Sequence, residues 1–584
     1  MNKFLKLAVL VMTVAGFTAC VQDLNTKPID PNSSTKFDQD RMFTKCYSCM
    51  AVIGQSGPGE NSDVDWPGLD AGTSGFYRTI WYCNELTTDE AWWIWKDKES
   101  NEMNLTNWAG DNTMIGAIYS RLMLDIKYCN HYLKHAADNT DELKYRKAEV
   151  RFIRALHYFY FLDLYLYIPY VVEDNTAFPH FLPRHELYAW LVDELKDLEV
   201  KLPAKPISKY RAAKSAAQLL LARIYLNADV YNKFNSAWNE GDALQDAYDK
   251  ADELIKGHSL YDHKIITDSG FVYSAYQQLF MGDNDRDELM DEIIFPIYQD
   301  GMYAQSYASS TMLISGPRMS GMNAWGTESE WHSFRTSPTM VDKFLKPVGI
   351  DRETAKEMVY DEYEMPAQLH DDRAILCSSY SNPAYPDYKY TLNGDMEVGD
   401  TKHLFKSWAA LKFTGVYSTA SLPKWSPRKN KDWPDTDIPL LRRAEAYLIH
   451  GEAKARLAGN NWNEALEDVN ALRARANADP LPSLTEEELL DEWSREFYFE
   501  GRRRMDLVRF GRFFGEKANS LRYHWEGRMG KPDGPQNFDA SSEEYQNWFP
   551  IPSSDKRQNP NFKKDVEGDA NNIYASQGGD GYGY

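Results

Sequence analysis

The feature that most constrains this chain is an apolar recurrence at three- and four-residue steps, repeated along much of its length. Within 151–165, Phe152, Ala155, Leu156, Phe159 and Leu162 fall on one face of a helix. The stretch 212–227 repeats the pattern with Ala213, Ala216, Ala217 and Ala222, small residues that let neighbouring helices approach closely. Leu440–Ala458 and Trp462–Ala476 predict a further pair, hinged at Gly459-Asn460-Asn461, with Gly459 suited to a left-handed C-cap. Pro480 stops the second of these helices. Thr485 and Glu488 then form a capping box for a long helix running to about Gly511. Ala-faced pairs closed by proline predict a mostly α fold, in which TPR-like helix pairs, irregularly spaced, form a scaffold.

Between the helices the character changes. Residues 54–75 and 301–337 are rich in Gly, Ser, Pro and Asn, and 366–435 in Pro, Tyr and Asn. Irregular segments of this length carry function more often than they merely connect. No Pro/Gly/Ser linker divides the body, so 41–568 reads as one domain, followed by a Gly-rich, disordered tail at 569–584.

The N-terminus reads as an export signal. Lys3 and Lys6 precede an apolar run from Leu7 to Phe17, whose eleven residues are too few to span a bilayer. Phe17-Thr18-Ala19-Cys20 resembles a bacterial lipobox, departing at Phe17 from the usual aliphatic residue. Residues 1–19 are then a cleaved signal peptide, Cys20 the lipidated first residue, and 20–40 a tether. Cleavage near Ala19 to give a soluble secreted protein is the alternative. No later stretch is apolar enough to cross a membrane.

Composition excludes one class of partner. The net charge is −22, so no basic face offers itself to phosphates, and nucleic acid is set aside. Aromatics are abundant, with 17 Trp, 37 Tyr and 26 Phe, and six of the tryptophans fall between Trp66 and Trp108. Flat rings suit the CH-rich faces of sugars, while Arg, Lys and Asn at their edges bond hydroxyls. Cys46-Tyr-Ser-Cys49 has CxxC spacing but no second pair to complete a zinc site; with Cys83, Cys129 and Cys377 these read as buried free thiols.

Other candidate chemistry is weak. Asp283-Asn-Asp285-Arg-Asp287 opens like a calcium loop but has Glu288 and Ile294 where Gly and Glu belong. Pro434-Asp435-Thr-Asp437 offers a second Asp-x-Asp; alone, these acids read as solvated turn residues. Glu496 and Glu500 are two carboxyls one turn apart, the raw material of a glycosidase. Embedded among arginines, they fit a structural ion network better. His157, His332 and His403 have no partners at ligand spacing. The chain contains no GxxxxGK[ST], HExxH or GxGxxG, and nothing nominates a nucleophile.

Four stretches together resemble the SusD/RagB family of outer-membrane nutrient-binding lipoproteins. They are Arg151-Phe-Ile-Arg-Ala-Leu-His-Tyr-Phe-Tyr-Phe-Leu, Arg443-Ala-Glu-Ala-Tyr-Leu with Val469-Asn470 to Ala476, Arg495-Glu496 to Gly511, and the close Pro550-Ile-Pro552 with Asn559-Pro560-Asn561. The N-terminal third, Gly75-Phe-Tyr-Arg78 and Asn84-Glu-Leu-Thr-Thr-Asp-Glu90, is similar to a starch-binding member in particular. The resemblance implies a cell-surface, non-enzymatic protein that captures starch-like α-glucan oligosaccharides and passes them to a SusC-like TonB-dependent transporter. It implies an aromatic arc of Trp95, Tyr307 and Trp331, with Arg78 on sugar hydroxyls and Lys98 where the relative has asparagine. It also implies a structural Ca2+ held by Asp285, Asp287, Asp435 and Asp437. Another glycan, a peptide ligand, or a glycoside hydrolase activity are the rival expectations.

Overall fold

The computed structural model of the protein describes residues 36–318 except 65, 96, 105, 107, 234, 236, 269 and 271, then 326–351 except 328, 352–353 being outside, and 354, 369–377, 409–419, 433–514 and 547–569. The signal segment, Cys20, most of the tether and residues 570–584 lie outside the described residues.

Helices α1 (Gln39–Ala51), α2 (Phe76–Trp81), α3 (Thr113–His135), α4 (Asp141–Leu164), α5 (Arg184–Lys201), α6 (Lys214–Leu226) and α7 (Glu240–Ile255) make up most of the N-terminal half. Later come α8 (Ala444–Leu457), α9 (Leu466–Arg475), α10 (Glu486–Phe497) and α11 (Arg503–Arg509). From α3 to α9 each of these helices packs on the next, forming a continuous row. The periodic residues do this work: Phe152, Ala155, Leu156, Phe159 and Leu162 of α4 are all buried. Side-chain caps set the starts, with Asn112 receiving the Met114 and Ile115 amides and Thr140 that of Leu143. The mostly helical reading is therefore correct, and Gly459 and Asn460 take positive φ at the expected hinge.

Two predicted helices are corrected. Residues 440–442 are not helical: they belong to a strand, β4 (Ile438–Arg442), antiparallel to β2 (Ile293–Ile297), with every residue of both buried. A short apolar run buried on both sides has no period that separates strand from helix. Pro439 faces Pro296 across the pair, and the register shifts beside them, as expected where two residues lack an N–H. The long helix to Gly511 is likewise broken, because Phe499 (φ 63°) and Gly501 (φ 73°) turn left-handed between α10 and α11. Glu85 holds that turn, its Oε1 accepting from the Gly501 amide at 2.7 Å and the Arg502 amide at 2.9 Å.

Around this turn lies a buried ion network. Glu496 accepts from Arg442 (2.6 Å) and Arg475 (2.5 Å), while Glu500 takes Arg442 through both Nε (2.8 Å) and Nη2 (2.7 Å), and Lys412 at 2.7 Å. Arg503 grips Asp89 with two bonds of 2.8 and 2.9 Å, joining chain positions more than four hundred residues apart. Glu500 does not pair with Arg504, as helix spacing alone would have it; Arg504 instead meets Asn84 and Asp163. Asp506 pairs with Arg502 and Arg509. Burial pushes the Glu496 carboxyl up, but Arg475, Arg442 and Arg373 outweigh it and hold it down to about 2. Cys46, Cys49, Cys83 and Cys129 are buried free thiols; the side chain of Cys377 is outside the described residues.

Candidate aromatic binding site

The sequence scatters the candidate ligand-binding residues from Arg78 to Trp331, and a short strand pair gathers them. β1 (Ala91–Trp93) runs antiparallel to β3 (Phe334–Thr336), with Trp92 opposite Arg335 and Trp93 opposite Phe334. The Ile94 amide extends the ladder to the Ser333 carbonyl at 2.8 Å, so Trp95 and Trp331 emerge from the same end of it. Trp95 is 44% exposed, the one exposed tryptophan among the described residues. It stands edge-on against buried Trp93, with ring centres 5.4 Å apart, and the Trp93 indole N–H is fixed by Asp97 at 3.2 Å. Trp92 and Trp93 are core residues.

Arg78, on α2, links this pair to the rest. Its guanidinium is buried and lies 5.7 Å from the Trp93 ring centre and 5.4 Å from that of Trp331. Its Nε donates to the Tyr82 hydroxyl at 2.7 Å and its Nη1 to the Tyr307 carbonyl at 3.3 Å. Burial pushes the Tyr82 phenol up to about 12 against the opposing pull of Arg78, so Tyr82 remains a neutral acceptor. Tyr307 sits 5.7 Å from Trp331 and 4.7 Å from Trp433. The result is an unbroken series of rings, from Trp95 through Trp93, then across Arg78 to Trp331, Tyr307 and Trp433.

Irregular backbone makes these contacts fit. A Cβ on Gly59 would come within 2.8 Å of the Tyr307 ring, and one on Gly72 within 2.9 Å of its Cβ. The Gly-rich 54–75 segment is thus the bed on which Tyr307 lies. Trp331 is strapped by its amide to the Ser315 carbonyl (3.0 Å) and by its indole N–H to Ser329 Oγ (2.9 Å). Buried Arg318 props the turn behind it through the Thr327 and Ser329 carbonyls. His332 occupies a left-handed φ of 50° there, and burial beside Arg335 and Arg318 lowers its pKa to about 4.

Lys98 is exposed on the short helix Lys98–Asn104, three residues beyond Trp95, with Glu102 at 3.4 Å and Asp111 at 3.9 Å. Those acids, Glu102 first, raise its pKa, so it presents a cation.

The four acids proposed for calcium divide. Asp435 Oδ1 accepts from the Gly301 amide (2.8 Å) and Asp437 Oδ1 from the Gln299 amide (2.7 Å), so both anchor the loop that leads to Tyr307. Asp437 Oδ2 is buried with no hydrogen-bond partner, and burial, then the charges of Asp285 and Asp435, push its pKa well up. Asp285 receives Lys209 and Tyr210, both at 2.9 Å. Asp287 is exposed at the start of a single 3-10 turn. Among the described residues, no three of the four bring one carboxylate oxygen each within 4.8 Å of one another.

Sequence reasoning missed Trp433, Tyr82 and the supporting role of Trp93. Trp433 stands two residues before Asp435, and the Asp435–Gly301 and Asp437–Gln299 bonds help carry it to Tyr307. His157 also gains partners that spacing did not suggest, the Ile153 carbonyl at 2.7 Å and Asp125 at 3.3 Å.

A helical-row scaffold carries this aromatic series on irregular loops, exposed at Trp95, and the origin of the arrangement can be stated. The chain belongs to the SusD family: the model of that family matches residues 291–567. It is 36% identical to the starch-binding protein SusD of Bacteroides thetaiotaomicron, over 95% of this chain and 97% of that one. A SusD-like protein of Bacteroides ovatus is 23% identical over 71% of this chain and 72% of its own. The fold matches a SusD superfamily protein from Parabacteroides distasonis at a TM-score of 0.61 and 17% identity, covering 90% and 98% of the two chains. A laminarin-binding SusD-like protein matches at 0.58 and 16%, covering 90% and 98%. Among the described residues, no helix is long and apolar enough to cross a membrane.

Proposed function

We propose that this protein captures starch-like α-glucan oligosaccharides on the aromatic series and delivers them intact to a SusC-like TonB-dependent transporter. The observation that carries this reading is exposed Trp95 held in one connected series with Trp331 and Tyr307 around Arg78. A rigid row of tilted rings suits a curved chain of sugar faces, because stacking needs planes already in place. Lys98 and donors of Arg78 supply hydroxyl contacts at the edge. The likeness to the starch-binding protein SusD supports α-glucan over other glycans. Affinity is expected in the micromolar to millimolar range, about −4 to −8 kcal/mol.

In this reading Cys20 carries the lipid that anchors the protein to the outer membrane, facing outward, with 20–40 as the tether. A structural Ca2+ fits part of the acid set. The unpaired Asp437 Oδ2, whose ionisation the charges of Asp285 and Asp435 oppose, is a hard oxygen that a cation would relieve. Asp287, being exposed, would contribute least. Such an ion would stiffen the loop bearing Tyr307 and take no part in chemistry. The protein is not an enzyme in this reading: Glu496 and Glu500 are buried and committed to arginines and lysine.

Calorimetric titration of the purified protein with linear and cyclic maltooligosaccharides, beside Trp95→Ala and Trp331→Ala, tests this. Binding by the wild type that either substitution abolishes, with the fold retained, is the expected result. A folded wild type that ignores α-glucans but binds β-glucan, fructan or peptide would replace the ligand. Sustained release of reducing ends would replace the function.

A further inference from the structure

Away from the aromatic series, the last turns of α3 hold a second group of converging side chains. His131 and His135 are one helical turn apart, and Asp174 reaches them from the loop after residues 167–170. His131 Nδ1 lies 3.0 Å from Asp174 Oδ2, His135 Nε2 lies 3.4 Å from the same oxygen, and the two imidazole centres are 4.6 Å apart. One ligand atom from each of the three lies within 4.8 Å of the others. We propose that His131, His135 and Asp174 form a binding site for a single zinc-class divalent cation.

The distances carry the argument. A tetrahedral zinc with bonds of roughly 2.0–2.1 Å requires neighbouring ligand atoms roughly 3.3 Å apart, close to the two measured separations. Two imidazoles and one carboxylate are a borderline-soft donor set, favouring zinc over calcium or magnesium. The geometry is held from outside. Asn130 donates to the Val171 carbonyl at 2.9 Å, Arg154 to that of Val172 at 3.1 Å, and Lys134 to that of Asp174 at 2.7 Å. The site is at the C-terminal end of a 23-residue helix, whose dipole favours a cation. Lys134 Nζ is 3.9 Å from Asp174 Oδ2 and opposes the ion, which weakens the site without blocking it. The imidazoles are about two-fifths exposed, so the ion has access and room for a water as fourth ligand. Phe37 packs against both rings, at 5.6 and 5.5 Å, so a bound ion would also fix the first described residues of the chain to α3.

The test is calorimetric titration of the untagged full chain with zinc chloride alone, with the absorption spectrum of the cobalt-substituted protein as a second readout. One ion per chain, a cobalt spectrum of tetrahedral type, and at least a tenfold loss of affinity in His135→Ala and Asp174→Ala are expected. Melting of each metal-free variant checks that the fold is intact, and zinc should raise the melting temperature of the wild type only. No stoichiometric binding overturns the proposal. So does binding that both substitutions leave unchanged, which would place the ion elsewhere, for instance at buried Cys49, Asp125 and His157.

Discussion

Arginine organises two regions of this molecule in opposite ways. In the network around α10 and α11, Arg442, Arg475 and Arg503 meet carboxylates out of water, so every charge depends on its partner. At the aromatic series, Arg78 meets ring faces, a phenol and a carbonyl, and no described carboxylate bonds it. The first arrangement fixes the fold, because an unpaired buried charge is costly. The second sets ring faces in place around a cation that positions them. Damage to one should therefore cost stability, and damage to the other should cost binding.

The largest effect expected from breaking this contrast comes from Glu496→Ala. It leaves Arg442, Arg475 and Arg373 without a shared anion and should destabilise by about 3–5 kcal/mol, read by denaturant unfolding. Glycan binding under native conditions should then change only in proportion to the folded fraction.

Acid is next. Because the folded Glu496 carboxyl titrates near 2, below its unfolded value, its contribution is present at neutral pH. It is lost as pH falls from the ordinary carboxylate range through the folded value. Thermal melting between pH 6 and 2 should show declining stability, while affinity for a neutral oligosaccharide stays flat until the protein unfolds.

Trp433→Ala sharpens the other side. Losing a ring 4.7 Å from Tyr307 should weaken oligosaccharide binding roughly tenfold, about 1.4 kcal/mol, with little change in melting temperature. A large fall in stability with unchanged affinity would remove Trp433 from the site. The smallest effect belongs to Lys98→Asn, which should alter preference among oligosaccharide lengths by a few-fold and leave the melting temperature unmoved, since the lysine itself is exposed.

How legible this was in the sequence varied by residue. The α4 face was readable because Phe152, Leu156 and Phe159 repeat at the helical period, and burial followed from that period. β4 was misread because Leu440-Leu441 is apolar on both sides and carries no period. The break at Phe499–Gly501 was invisible locally, since what stabilises it is Glu85, far away in the chain. Trp95, Tyr307, Trp331 and Arg78 were nominated by resemblance to a relative, not by any local rule. Trp433 had no local signal at all.

The sequence by itself determined the buried face of α4, the Thr485 cap, the hinge at Gly459 and the family, because these depend on spacing and side-chain chemistry within a few turns. Only the tertiary structure decided which arginine meets which carboxylate and which rings touch. Those contacts join residues hundreds of positions apart, through a three-residue strand pair and glycines that allow close approach. Their energies depend on burial and partner geometry, and neither exists until the chain has folded.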